Sequence, residues 1–247
     1  MAKQGQARIL SIKEQNQVIK SLEGTRFCAR DKAIFLLSFK SGLRAKEIAE
    51  VLLSDFVNQV KPISVKPIGK WHSDGKWYND STKAIKSDLY IDADIKKTLT
   101  LRREVTKGSK VEKAHIVNNE LRQALLDYIN GERKTTLGSY SLPPKGESAE
   151  ESLKRRLAYQ GNEPLFVTNK QWGFDANGMA HLFMALSRKT GVKFTSHSGR
   201  RSLCTQLVQD GHNMFDVQAL MRHRDISTTQ LYYQKDEVRL GSIMETL

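Results

Sequence analysis

The run Ala33-Ile34-Phe35-Leu36-Leu37, followed by Phe39, is apolar nearly all the way round a helix. A helix without a polar face is buried, so Asp31 to Lys40 is expected to form an interior helix. Gly42 stands where a left-handed residue would end it. Other helices are legible around this one. Ser11 to Leu22 reads as a helix with Ser11 as N-cap and Glu14 completing a capping box. Lys46 to Leu53 reads as a helix, and so does Asn119 to Tyr128, with Leu121, Leu125 and Tyr128 on one face. Asn177 to Gly191 and Ser196 to Gly211 read likewise, and Asp216 to Met221 begins another.

Strand signals are few. Thr98 to Leu101 and Ala114 to Val117 read as two strands joined across the turn Lys107-Gly108-Ser109-Lys110. Residues 56–98 carry Pro62, Pro67, Gly69, Gly75, several lysines and the aromatics Trp71, Trp77 and Tyr78, and read as irregular or hairpin structure. Residues 131–163, with Pro143-Pro144, read as a long loop holding one helical piece. The expected fold class is therefore α+β, mainly α-helical, with a small antiparallel β-sheet.

Composition narrows the partners. The 247 residues include 40 Lys+Arg against 27 Asp+Glu, a formal charge of +13. Such a surface favours a polyanion, nucleic acid before an anionic membrane. No run approaches the roughly 18 apolar residues of a membrane span, and the N-terminus opens no signal region. Cys28 and Cys204 match no metal spacing and suggest ordinary thiols in a reducing compartment. A cytoplasmic protein with a nucleic-acid partner is expected, with no cofactor and no metal.

The chemistry concentrates near the C-terminus. In Thr195-Ser196-His197-Ser198-Gly199-Arg200, His197 and Arg200 are three apart and share a helix face near an N-terminus capped by Thr195 or Ser196. Free N–H groups there favour a phosphate, an arginine fork matches its oxygens, and a histidine can move a proton near neutral pH. Further on comes Leu220-Met221-Arg222-His223, then Thr228-Thr229 and Tyr232-Tyr233. Upstream, Arg44 lies in Ser41-Gly42-Leu43-Arg44-Ala45-Lys46-Glu47-Ile48.

These segments together resemble the tyrosine recombinases, the phage-integrase family. The likeness runs from about Ser11 to the C-terminus and covers that family's catalytic domain. It implies one such domain, an insertion at roughly 57–97, and no separate N-terminal DNA-clamping domain. It also implies a site made of Arg44, Lys107, His197, Arg200, His223 and Tyr232. Arg44 and Arg200 would clamp a phosphodiester, with His223 as a further donor. Tyr232 would attack phosphorus, His197 would help accept its proton, and Lys107 would protonate the leaving 5′-oxygen. The nine-residue step from His223 selects Tyr232, with Tyr233 the competitor; Lys83 is the second candidate for the lysine. Glu47 takes a supporting place beside Arg44. One departure is Arg222, where the family's usual residue is glycine.

The function so implied is site-specific recombination or integration of DNA for a mobile element, through a 3′-phosphotyrosyl link. A homotetramer on paired DNA sites would do it. The tail after Tyr232, with Val238, Leu240, Ile243 and Met244, would either pass to a neighbouring subunit or fold back on its own domain. Two alternatives stand: a type IB topoisomerase-like nicking and closing enzyme, and a non-catalytic regulator reading DNA through a helix-turn-helix at 43–55.

Overall fold

A computed structural model describes residues 7–57, 64–67, 71–73, 76–78, 85–88, 95–104, 106, 110–133, 164–168, 173–233 and 245. The described elements are mainly helical with short antiparallel strand pairs, the expected class. The interior helix is α2, Cys28–Ser41, buried from Ala33 through Leu37 and at Phe39. Packed against it are α1 (Ile12–Leu22), α3 (Ala45–Glu50), α5 (Asn119–Asp127) and α7 (Ser198–Gln209), while α6 (Ala176–Thr190) lies on α1 and α3. Phe35 and Phe39 stack at 4.1 Å, and Phe194 meets both edge-on.

Local rules explain several boundaries. Ser11 caps α1 through the Glu14 amide, and Glu14 reaches back to the Ser11 N–H at 2.9 Å, so the capping box forms. Gly42 ends α2 at φ 62, ψ 28, the left-handed conformation in which a Cβ is disfavoured. The start of α2 is less local. Phe27 sits at its N-cap and offers no side-chain acceptor; the Glu132 carboxylate takes the Ala29 and Arg30 amides at 2.8 and 3.2 Å instead. An acid beside free N–H groups also suits the helix dipole.

The helix expected over Lys46–Leu53 is divided. α3 stops at Glu50, Val51 is extended (ψ 143), and α4 is the single turn Leu53–Phe56. Two competing bonds account for the break: the Leu165 N–H donates to the Val51 carbonyl at 2.9 Å, and Asp55 caps the Leu52 amide at 2.8 Å. Glu47, Ile48, Ala49, Leu53 and Phe56 are all buried. Segments this short and inward-facing do not form a recognition helix, which counts against the helix-turn-helix alternative.

Among the strands, β1 (Ser64–Pro67) pairs antiparallel with β4 (Ile85–Asp88), and β2 (Trp71–Ser73) with β3 (Lys76–Tyr78). β5 (Thr98–Leu101) pairs with β6 (Glu112–His115), setting Leu99 opposite Ala114. β6 begins two residues before the expected Ala114. The register is fixed by burying Leu99, Leu101 and Ala114 on one face, and Val117 is left exposed beyond the pair.

A second, smaller core forms where α7 meets α8 (Met214–Met221) and α9 (Ile226–Tyr233). It buries Cys204, Val208, Val217 and Met221, with Leu203, Leu207, Tyr232 and Tyr233 packed on it. The junction between the two cores depends on Gly199. A Cβ there would lie 2.8 Å from both the Ser38 backbone carbon and the Phe39 ring. Gly199→Ala is expected to push α7 off α2 and to destabilise by about 1–3 kcal/mol, as overpacking does. Thermal melting of the variant measures it.

Candidate active site

Four chain segments converge at the junction of the cores: the Gly42–Arg44 loop, the first turn of α7, the end of α8 and the face of α9. Arg44 occupies the N-cap of α3. Its backbone N–H donates to Glu47 Oε2 at 2.8 Å, and its guanidinium pairs with Glu47 Oε1. Its Nη2 donates to the Arg222 carbonyl at 3.4 Å.

Arg200, in the first turn of α7, is buried and donates Nη1 to the Gly42 carbonyl at 2.7 Å. Its Nη2 is buried and makes no hydrogen bond among the described residues. Burial first, then the cations Arg44 and Arg222, drives its pKa down to about 9. The group stays charged at neutral pH, but at an electrostatic disadvantage that a bound anion would remove.

Two segments differ from the sequence reading. The N-cap of α7 is His197 itself (φ −92, ψ −14), neither Thr195 nor Ser196. The reason is local: Ser198 Oγ accepts the Thr195 N–H at 3.0 Å, which folds the chain into the helix one residue later. His197 is exposed, its Nδ1 lying 3.5 Å from Ser196 Oγ, while Arg200 points inward. At the end of α8, Arg222 takes φ 51, ψ 45, the one positive φ among described residues other than glycine. The turn that a glycine would make is therefore kept by an arginine.

That turn delivers His223. Its Nδ1 lies 2.9 Å from the hydroxyl of buried Thr229. Burial, followed by Arg200, Arg44 and Arg222, lowers its pKa to about 4, so the ring is neutral at pH 7. A neutral imidazole that accepts at Nδ1 carries its hydrogen on Nε2 and can donate there. The depressed pKa has a stability consequence. Below the ordinary value of 6.5, the unfolded chain takes up a proton that the folded one refuses, so stability falls from about pH 6.5 towards pH 4. Between pH 7 and pH 5 this histidine is expected to account for a loss of about 1–2 kcal/mol. Urea melts at the two pH values should show that loss shrinking by the same amount in His223→Gln.

Tyr232 lies on α9, half-buried against the smaller core. Burial raises its pKa, Cys204 adds to the rise, and Arg201 and Arg200 oppose it. Tyr233, the next residue, donates its hydroxyl to the His212 carbonyl. The structure thus gathers Arg44, Arg200, His223 and Tyr232 into one electrostatic neighbourhood, while His197 is exposed at the N-cap of α7, three residues before Arg200. Lys107 and Lys83 lie outside the described residues, as does the tail apart from Glu245.

Arg222 and Glu112 were not among the expected site residues. Arg222 Nη2 donates to Glu47 Oε2 at 2.9 Å and to the Gly42 carbonyl at 3.1 Å. Glu112, from β6, stands 3.4 Å from Arg222 Nε and 3.9 Å from Arg44 Nη1, ion-pair distances without a hydrogen bond. The sequence signal for Arg222 was its departure from glycine; Glu112 carried none. Beside these residues runs a cleft of about 640 Å³, with Lys110, Lys113 and His115 on one wall and Phe215, Arg222 and His223 on the other.

A mainly helical fold that presses guanidiniums together beside a neutral histidine and a half-buried tyrosine has the chemistry to hold an anion. The chain matches the phage integrase family over residues 8–239 and belongs to it. Among similar proteins is tyrosine recombinase XerD of Listeria monocytogenes serotype 4b (strain F2365), 31% identical over 91 residues, covering 36% of this chain and 30% of that protein. Transposase A from transposon Tn554 of Staphylococcus aureus is 27% identical over 228 residues, covering 92% of this chain and 48% of the transposase. The chain thus spans between about a third and a half of these relatives.

Solved structures share the fold. The XerA recombinase superposes with a TM-score of 0.58 at 18% identity, over 99% of this chain and 66% of that one. An integrase of transposon Tn1549, in complex with transposon right-end DNA, gives 0.57 at 19% identity, over 100% and 67%. Among the described residues no helix is long and apolar enough to cross a membrane.

Proposed function

We propose that this chain is the catalytic domain of a site-specific tyrosine recombinase of a mobile element, and that it cuts and rejoins double-stranded DNA through a 3′-phosphotyrosyl link. The observation that carries this reading is the guanidinium of Arg200, with one Nη unpartnered among the described residues and its charge disfavoured by burial and then by two neighbouring arginines. A scissile phosphate supplies the charge and the acceptor that this group lacks.

In this reading Arg44 and Arg200 hold the non-bridging oxygens and stabilise the charge that builds in the transition state. Neutral His223 donates from Nε2. Tyr232 Oη forms a bond to phosphorus as the bond to the 5′-oxygen breaks. The tyrosine proton passes towards His197, and Lys107 protonates the departing 5′-oxygen. Rejoining is the same step reversed, and the energy kept in the phosphotyrosine makes ATP unnecessary. Strand exchange would take place in a homotetramer on paired sites, in the host cytoplasm. The family match over residues 8–239 supports a single catalytic domain, and the strands within 64–88 support an insertion at 57–97. The similarity to a transposon's transposase and to a transposon integrase favours a mobile element over a topoisomerase.

The test is covalent capture. Duplexes carrying one 5′-bridging phosphorothiolate between random-sequence flanks are incubated with the protein, and denaturant-resistant adducts are recovered and sequenced. Adducts with a shared sequence, and joining of two different duplexes bearing it, are expected. Adducts without joining would turn the reading towards a nicking and closing enzyme; a protein that binds duplexes and captures none would overturn it.

A further inference from the structure

We propose that Arg222 is a positioning residue, and that its guanidinium locks Arg44 and Arg200 into one anion-binding geometry by bridging the Gly42 carbonyl and the Glu47 carboxylate. The proposal rests on the recombinase reading above. Its basis is the pattern of shared acceptors. The Gly42 carbonyl receives Arg200 Nη1 at 2.7 Å and Arg222 Nη2 at 3.1 Å. The Glu47 carboxylate receives the Arg44 guanidinium at Oε1, and both the Arg44 backbone N–H and Arg222 Nη2 at Oε2. Arg44 in turn donates to the Arg222 carbonyl. Each clamp arginine is therefore tied to Arg222 through one intermediate group or directly.

Three features mark this as more than filling. The side chain is 4% exposed, so its charge is held in the interior by the Glu47 and Glu112 carboxylates. Three guanidiniums face those two carboxylates, which leaves one positive charge for a phosphate to answer. Among the described residues Arg222 Nη1, like Arg200 Nη2, is buried without a hydrogen bond. The left-handed backbone at φ 51 is uncommon for arginine. It turns the side chain back across the Gly42 loop while sending His223 onward. A glycine would make the same turn with no strain and no bridge.

The planar fork is what the geometry requires: one Nη2 spans a carbonyl and a carboxylate while Nε addresses Glu112. A lysine ammonium is a single point and cannot hold all three. Without the bridge, Arg44 and Arg200 keep their own anchors but lose their common reference. Misplacement of this kind costs about 10–100-fold in rate.

Single-turnover capture on the phosphorothiolate duplexes, duplex affinity and thermal melting are measured for the native chain, Arg222→Gly and Arg222→Lys. Arg222→Gly is expected to cleave about 10-fold or more slowly, with affinity little changed and the deficit persisting well below its melting temperature. Arg222→Lys is expected to fall between glycine and the native chain. Native-rate cleavage by the glycine variant would overturn the proposal. So would a deficit that vanishes on cooling, a loss confined to duplex affinity, or a lysine variant as fast as the native chain. If the native chain itself captures no duplex, the recombinase reading fails and takes this proposal with it; capture by the native chain with an unimpaired glycine variant sinks this proposal alone.

Discussion

Tyr232→Phe is expected to abolish the covalent adduct with DNA, and Tyr233→Phe to leave it in place. Adjacent helical residues point about 100° apart, so the two rings cannot share a role. Tyr232 lies within the electrostatic reach of Arg200 and Arg201. Tyr233 instead spends its hydroxyl on the His212 carbonyl, between the α7–α8 connection and α9. Removing the Tyr232 hydroxyl removes the proposed nucleophile, so adduct should drop below detection while the apolar ring keeps its packing. Removing the Tyr233 hydroxyl deletes one hydrogen bond, an effect on stability of about 1 kcal/mol. The raised Tyr232 pKa adds a constraint: the phenol is protonated at neutral pH and must lose its proton as it attacks. Denaturing gels of the two variants on the captured duplex decide the register; adduct lost only in Tyr233→Phe would shift the nucleophile by one residue.

Arg200→Ala is expected to reduce cleavage by about 100–1,000-fold, the usual consequence of deleting a preorganised donor to a developing oxyanion. Its stability is expected to be unchanged or slightly higher. The reason lies in its surroundings. In the free protein this cation is buried among Arg44 and Arg222, and that repulsion disappears with it. The Gly42 carbonyl that accepts from Arg200 keeps Arg222 as a donor. Arg200→Lys should remain strongly impaired, because a lysine ammonium cannot hold the Gly42 carbonyl and a phosphate oxygen on one planar fork. Rapid-quench cleavage alongside thermal melting separates the two effects. A rate loss that tracks a falling melting temperature would make Arg200 a structural residue.

Some of this molecule could be read from neighbours in sequence. The capping box at Ser11, the left-handed stop at Gly42 and the apolar circumference of α2 are set by residues within a few positions of one another, and they appear in the fold as read. The spacing from Arg200 to His223 to Tyr232 is of the same kind. It shows which residues stand at matching intervals, and the structure brings those residues together with Arg44. What such spacing does not carry is environment. That Arg200 would be buried and that His223 would be pressed towards a pKa of about 4 depend on groups far along the chain.

The remaining differences have one cause. α3 broke after Glu50 because Leu165 reached Val51; α2 was capped by Glu132; the clamp arginines were joined by Arg222 and faced by Glu112 from β6. Each is a hydrogen bond or ion pair between residues tens to nearly two hundred positions apart, invisible to propensity and periodicity. By itself the sequence determined helix type, the cap at Ser11, the stop at Gly42, the family and which residues stand at its motif spacing, since those follow from short-range sterics and spacing. Only the tertiary structure decided which charges are buried, which donors lack a partner and which arginine ties the others together, because those follow from what lies opposite in space.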